Sequence, residues 1–203
     1  MHHVHQGDLP ANLHLSGDIA VDTEAMGLNN KRDRLCLVQL SDGSGAAHLV
    51  QFERGRYQAP NLVKLLSDPA RTKIFHFARF DLAIIREYLG VRLAPVYCTR
   101  TASRLARTYT DKHGYKDICK ELLGVDISKQ QQSSDWGTPT LSQEQIDYAA
   151  ADVLHLHKLR DKLNTMIERE GRKELLDACL NFLPYRAELD LAGWEQDDLF
   201  AHS

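Results

Sequence analysis

The chain has 203 residues, 43% of them hydrophobic and 26% charged, which suits a globular protein with room for one sizeable core. A formal net charge of −3 argues against a protein that coats long nucleic acid by neutralising phosphates. Apolar runs such as 35–38 are too short to span a bilayer, so no membrane association is expected.

In chain order, residues 1–10 lack the apolar core of a secretory signal, which makes the cytoplasm the expected location. The histidines there receive no role. The segment D-I-A-V-D-T-E at 18–24 predicts a strand running into a polar end. Strands at 35–40 and 46–52 flank a turn at 41–45 and form a hairpin. A helical stretch at 61–66 leads to a short apolar strand at 73–77. Helix then dominates. Leu82, Ile85 and Leu89 share one face of a helix over 80–89, stopped by Gly90. Helices follow at 99–108 and 115–123, then a polar loop at 128–135. Ser142 with Gln145 makes a capping box that opens a helix to about residue 169, and a last helix at 173–182 ends at Pro184. The expected class is α/β: a mixed central sheet flanked by helices, with a helix-rich C-terminal half, in one domain. Cys36, Cys98, Cys119 and Cys179 are scattered without a C-x-x-C pair, so they are read as buried free thiols.

Three acidic fragments carry chemistry. Asp22 and Glu24 lie at i and i+2 of a strand and point the same way. Crowded carboxylates repel unless a cation sits between them, and hard oxygen donors suit Mg²⁺ or Mn²⁺. Asp81 stands at a helix start, where the dipole alone could account for it. Tyr148 and Asp152, at i and i+4, share a helix face and are separated by three alanines that permit close approach. Four acids in these contexts can converge on two metal ions about 3.5–4 Å apart.

The order D-T-E, H-F-A-R-F-D and Y-A-A-A-D resembles the three motifs of the DEDDy 3′–5′ exonucleases. The stretch S-S-D-W-G-T-P-T-L-S-Q-E-Q-I-D-Y-A-A-A-D-V-L-H-L is similar to the ribonuclease D branch. The resemblance covers about residues 15–165 and departs from the family pattern at His76-Phe77 and at Pro139-Thr140-Leu141. It implies a ribonuclease H-like exonuclease fold. It also implies that Asp22, Glu24 and Asp152 hold the ion that activates water, and that Asp22 and Asp81 hold the second. Tyr148 would orient the water.

A chain reduced to the catalytic domain looks like the bacterial nano-RNase C type. That implies short RNA, notably dinucleotides, as substrate and a ring-like homo-oligomer, an octamer being one form. By the same resemblance Leu28, beside Met26 and Gly27, either wedges between terminal bases or covers the core. Arg100, Arg104 and Arg107 fall on one helix face, as a phosphate contact or as a solvated stripe. His76 and Phe77 adjoin the second motif and are candidates for substrate contact. Trp136 either stacks on a base or anchors its loop, to which Lys129 and its neighbours add phosphate donors.

Overall fold

The chain folds, in the computed structural model, around six strands: β1 (His2–Gln6), β2 (Ile19–Ala25), β3 (Leu35–Ser41), β4 (Ala47–Gln51), β5 (Lys73–Phe75) and β6 (Val96–Cys98). The structure describes residues 2–128, 131 and 133–202. The strands form one mixed sheet in the order β1-β4-β3-β2-β5-β6. β2, β3 and β4 pair antiparallel, β1 joins β4 in parallel, and β5 and β6 extend the other side in parallel. Every residue of β3 and β4 is buried, as expected of central strands covered on both faces.

Seven helices surround the sheet: α1 (Pro60–Leu66), α2 (Arg79–Leu89), α3 (Thr99–Ala106), α4 (Tyr115–Leu123), α5 (Gln143–Leu154), α6 (Leu156–Arg169) and α7 (Lys173–Leu189). None among the described residues is long and apolar enough to cross a membrane. Gly90 ends α2 at φ 69°, the left-handed conformation that glycine adopts without strain. Both halves of the predicted capping box are made at Ser142 and Gln145.

Several elements differ from expectation. β1 is absent from the sequence reading because H-H-V-H-Q has no apolar alternation. It is held instead by pairing with β4 and by histidines: His3 opposes His48, and His5 Nε2 lies 3.1 Å from His48 Nδ1. β6, only three residues long, is too short to show a period. The long helix predicted from 142 breaks at His155, whose φ of −107° and ψ of −4° divide α5 from α6. Conversely, α7 runs through Pro184 to Leu189. Its last turn is pinned to α2 by Arg86–Glu188 and Arg79–Asp190 ion pairs, which offset the hydrogen bond that proline cannot make. Cys179 is exposed, not buried, while Cys36, Cys98 and Cys119 are buried as expected.

Lys73 locks the strand that leads into the second acidic motif. Its side chain is fully buried, and Nζ donates to the carbonyls of Asp68 (2.8 Å), Arg71 (2.6 Å) and Ala94 (3.0 Å). One ammonium thereby ties the loop before β5 to the loop before its neighbour β6. Lys73→Met would strip that donor from all three carbonyls, of which only Asp68's keeps another partner, the Arg71 amide at 3.3 Å, and should destabilise the protein by about 2–4 kcal/mol. A urea midpoint within error of wild type would contradict this account.

Candidate active site

The site is built at the carboxyl end of β2. Asp22 opposes Gln39 and Glu24 opposes Leu37 on β3. The register then slips between Glu24 and Ala25, a bulge that turns the chain away from the sheet. α5 crosses the same face with Ala149 and Ala150 fully buried, so the small side chains do permit the expected close approach. That approach delivers Asp152. Asp22, Glu24 and Asp152 each present an oxygen, all within 4.8 Å of one another.

Asp81 arrives separately. The hydroxyl of Thr23, between the two acids of β2, donates to Asp81 Oδ1 at 2.6 Å, and all four residues line one cleft. Asp81 itself is 4% exposed at the start of α2. Three acids therefore form one cluster, with the fourth anchored beside it.

The electrostatics of this arrangement are strained. Burial, followed by the charges of Asp81, Asp152 and Glu24, pushes Asp22 well above the usual carboxylate range. Burial, then Asp152 and Asp81, pushes Glu24 up to about 9. Burial raises Asp81 to about 7 against the opposing pull of its Thr23 hydrogen bond, and raises Asp152 to about 7. So many ionised carboxylates cannot share one buried space without protons or cations. The donors are all oxygen, the chemistry preferred by Mg²⁺ and Mn²⁺, so the residues fit the divalent ions implied by the sequence.

Tyr148 is half-buried one turn before Asp152. Burial, then the charges of Asp152, Glu24 and Asp22, drive its phenol pKa upward, so the hydroxyl keeps its proton. Its ring lies 6.0 Å from that of Trp136. Trp136 is only 3% exposed, which leaves little ring face for a base and makes it a packing anchor. The loop carrying Trp136 is tied down by Gln145, whose Nε2 donates to Ser134 Oγ (2.7 Å) and to the Asp135 carbonyl (3.1 Å).

A cleft of about 540 Å³ opens on the acids and is lined in part by Met26, Gly27, Leu28, His76, Phe77 and Trp136. Leu28 is 88% exposed, so it does not cover the core. A β-carbon on Gly27 would lie 2.3 Å from Asp33 Oδ2, so that position requires glycine for the loop to close beneath Leu28. Phe77 adopts φ 63°, strained for an aromatic residue, and remains half-exposed at the cleft wall. The Arg100 guanidinium sits 4.9 Å from its ring centre. His76 Nδ1 lies 2.9 Å from Thr99 Oγ1, and burial, then the Arg100 charge, pull its imidazole down to about 3.

The arginine stripe does not hold together. Arg104 is exposed further along α3 and, like Arg100, does not line the cleft. Arg107 falls beyond the end of α3 and is completely buried, paired with Glu121 and donating to Ser103 Oγ (2.9 Å) and the Lys112 carbonyl (2.8 Å). It is a structural residue. Lys129, Gln130 and Gln132, part of the suggested phosphate-binding loop, lie outside the described residues. Sequence reasoning missed Thr23, Thr99 and the second use of Gln145. Thr23 was in plain view between two acids, but nothing in the order of residues pairs Thr99 with His76.

Residues 7–168 match the 3′–5′ exonuclease family. A ribonuclease D from Granulibacter bethesdensis is 36% identical over 154 residues, 76% of this chain and 38% of that protein. The chain thus spans about two fifths of the length of the curated relatives it matches. Brucella melitensis NrnC with bound Mg²⁺ is 53% identical at a TM-score of 0.94, covering 100% of this chain and 99% of the other. The same protein bound to pGG is 54% identical at 0.95, covering 100% and 98%. With its acids gathered at the end of β2 and these relatives on either side, the chain belongs to the 3′–5′ exonuclease family, in the ribonuclease D branch to which NrnC is similar.

Proposed function

We propose that the protein is a metal-dependent 3′–5′ exoribonuclease acting on short RNA, dinucleotides above all, and releasing 5′ mononucleotides. The convergence of Asp22, Glu24 and Asp152 within 4.8 Å, with Asp81 held beside them, carries this reading. Asp22, Glu24 and Asp152 would hold one Mg²⁺ or Mn²⁺, and Asp22 with Asp81 a second. When bound, the pair supplies the charge that activates water and stabilises the leaving 3′ oxygen of an in-line displacement.

The chain's own residues do the positioning. Tyr148, protonated, holds the attacking water by hydrogen bonding. Leu28 projects from the Gly27 turn to separate the two terminal bases, and Met26 and Phe77 shape the apolar wall they rest on. Arg100 does not line the cleft, so any phosphate it met would lie beyond Phe77, on whose ring it packs. A small cleft with an exposed leucine in it supports a substrate of two nucleotides over a long strand, and the similar NrnC has been seen bound to pGG. The alternative, trimming of longer RNA or single-stranded DNA as a general ribonuclease D-like enzyme, finds no comparable feature. The described chain is read as one catalytic domain working in the cytoplasm as a homo-oligomer, with an octameric ring as the form suggested by the resemblance.

Tyr148→Phe and Asp22→Ala should each lower turnover by about 100-fold or more while the protein stays folded. Retention of wild-type rates by either purified variant would remove the assignment. On end-labelled RNAs of increasing length, wild type should strongly prefer the dinucleotide, and Leu28→Ala should flatten the profile. Equal wild-type rates at all lengths would favour the trimming alternative.

The raised carboxyl pKa values also fix a pH dependence. With chelator present, the folded state keeps protons on Glu24, Asp81 and Asp152 that the unfolded chain releases near pH 4. Stability should therefore fall from about pH 4 upward, the contribution of Asp81 and Asp152 being lost by about 7 and that of Glu24 by about 9. Mn²⁺ should restore it most at the alkaline end, where no proton need be displaced. Melting temperatures measured with EDTA and with Mn²⁺ at several pH values check both signs.

A further inference from the structure

His76 carries more information than its place in the cleft. The Thr99 hydroxyl has one hydrogen and two partners: the Phe75 carbonyl at 3.1 Å and His76 Nδ1 at 2.9 Å. If Thr99 donated to the imidazole, only one of these bonds would form. If it donates to the carbonyl, its oxygen accepts from Nδ1–H and both bonds form. Thr99 is fully buried, so the arrangement that makes both bonds is preferred. The proton then sits on Nδ1 and Nε2 is a bare acceptor.

Nε2 meets no described residue, and it is not among the buried polar atoms left unpaired, so it is open to the cleft that His76 lines. The ring is braced by Tyr115, 5.5 Å away centre to centre, whose hydroxyl donates to the Ala151 carbonyl at 2.7 Å. That carbonyl immediately precedes Asp152. A fixed acceptor is thus set in the cleft that Asp22, Glu24, Asp81 and Leu28 also line.

We propose that His76 is a specificity-determining residue whose Nε2 accepts a hydrogen bond from a ribose 2′-hydroxyl, so that the site selects RNA over DNA. Thr99 is a positioning residue that sets the tautomer. The inference rests on the exonuclease reading above and sharpens its substrate class. An unprotonated nitrogen repels phosphate oxygens and carbonyls, so it takes a donor. Beside the acids that grip the scissile phosphate, the donor within reach belongs to the sugar. Bases parted by Leu28 lie further out. Because the imidazole is neutral across the physiological range, the selection is a hydrogen bond to one group and not a charge effect.

The test compares a 5′-phosphorylated diribonucleotide with its 2′-deoxy and 2′-O-methyl counterparts under Mn²⁺, in all four bases. Wild type should favour the diribonucleotide, with both 2′-modified forms disfavoured. His76→Phe should collapse that ratio by roughly tenfold, and His76→Gln, whose amide oxygen can replace the acceptor, should restore part of it. Long-range ¹H–¹⁵N spectra of the free protein should show His76 protonated on Nδ1 alone, and Thr99→Val should redistribute the proton. A proton on Nε2 in wild type overturns the proposal. So does an equal loss on all three sugars in His76→Phe, or selectivity that follows base amino groups. If wild type cleaves the sugars equally, this inference fails while the exonuclease reading stands. If it cleaves none of them, both fail.

Discussion

Mutual repulsion among buried carboxylates is the constraint around which the molecule is arranged. Asp22 and Glu24 alone could swing into solvent from a strand end. They are kept from doing so by α5, which lies close because Ala149 and Ala150 offer no bulk, while the Thr23 hydroxyl holds Asp81 against the same cleft. Among the described residues, no basic side chain forms an ion pair with Asp22, Glu24, Asp81 or Asp152. Arg100 packs on Phe77 and Arg107 pairs with Glu121. The charge is left for divalent cations to balance, and the cost of holding it is borne by the surrounding core.

That core is correspondingly rigid where it touches the site. β5 is only three residues long, yet it leads directly into His76, Phe77 and Asp81, and Lys73 at its start ties the loop before it to the loop before β6. The bulge after Glu24 and the tight Gly27 position then send the chain out of the sheet in one direction, with Leu28 at the tip. The cleft's residues are thus separated by kind: acids on regular elements, exposed apolar side chains on the turns that leave them.

What could be read in the sequence follows this division. The acids were legible because strand alternation and helical spacing fix which side chains share a face, and because the capping box dates the start of α5 to the residue. The central strands were legible through their apolar runs. Substrate contacts were less so. An arginine at helical spacing looks the same whether it points to solvent, as Arg104 does, or into a buried ion pair, as Arg107 does, since the helix ends before it. β1 escaped because its stabilisation comes from a strand forty residues away and not from its own pattern. The break at His155 and the continuation through Pro184 reflect tertiary packing that overrides local propensity.

Gln145 joins two parts of the protein that a linear reading keeps apart. Its side-chain oxygen accepts from the Ser142 backbone to close the first turn of α5, and its nitrogen holds the 134–135 segment. The helix that carries Tyr148 and Asp152 and the loop that walls the cleft therefore form one cooperative unit. Fraying at the helix start frees the loop, and disorder in the loop removes a brace from the helix. The alignment of the site is in this sense a collective property of a short polar bridge, and an ordered cleft and local unfolding are opposite ends of the same equilibrium.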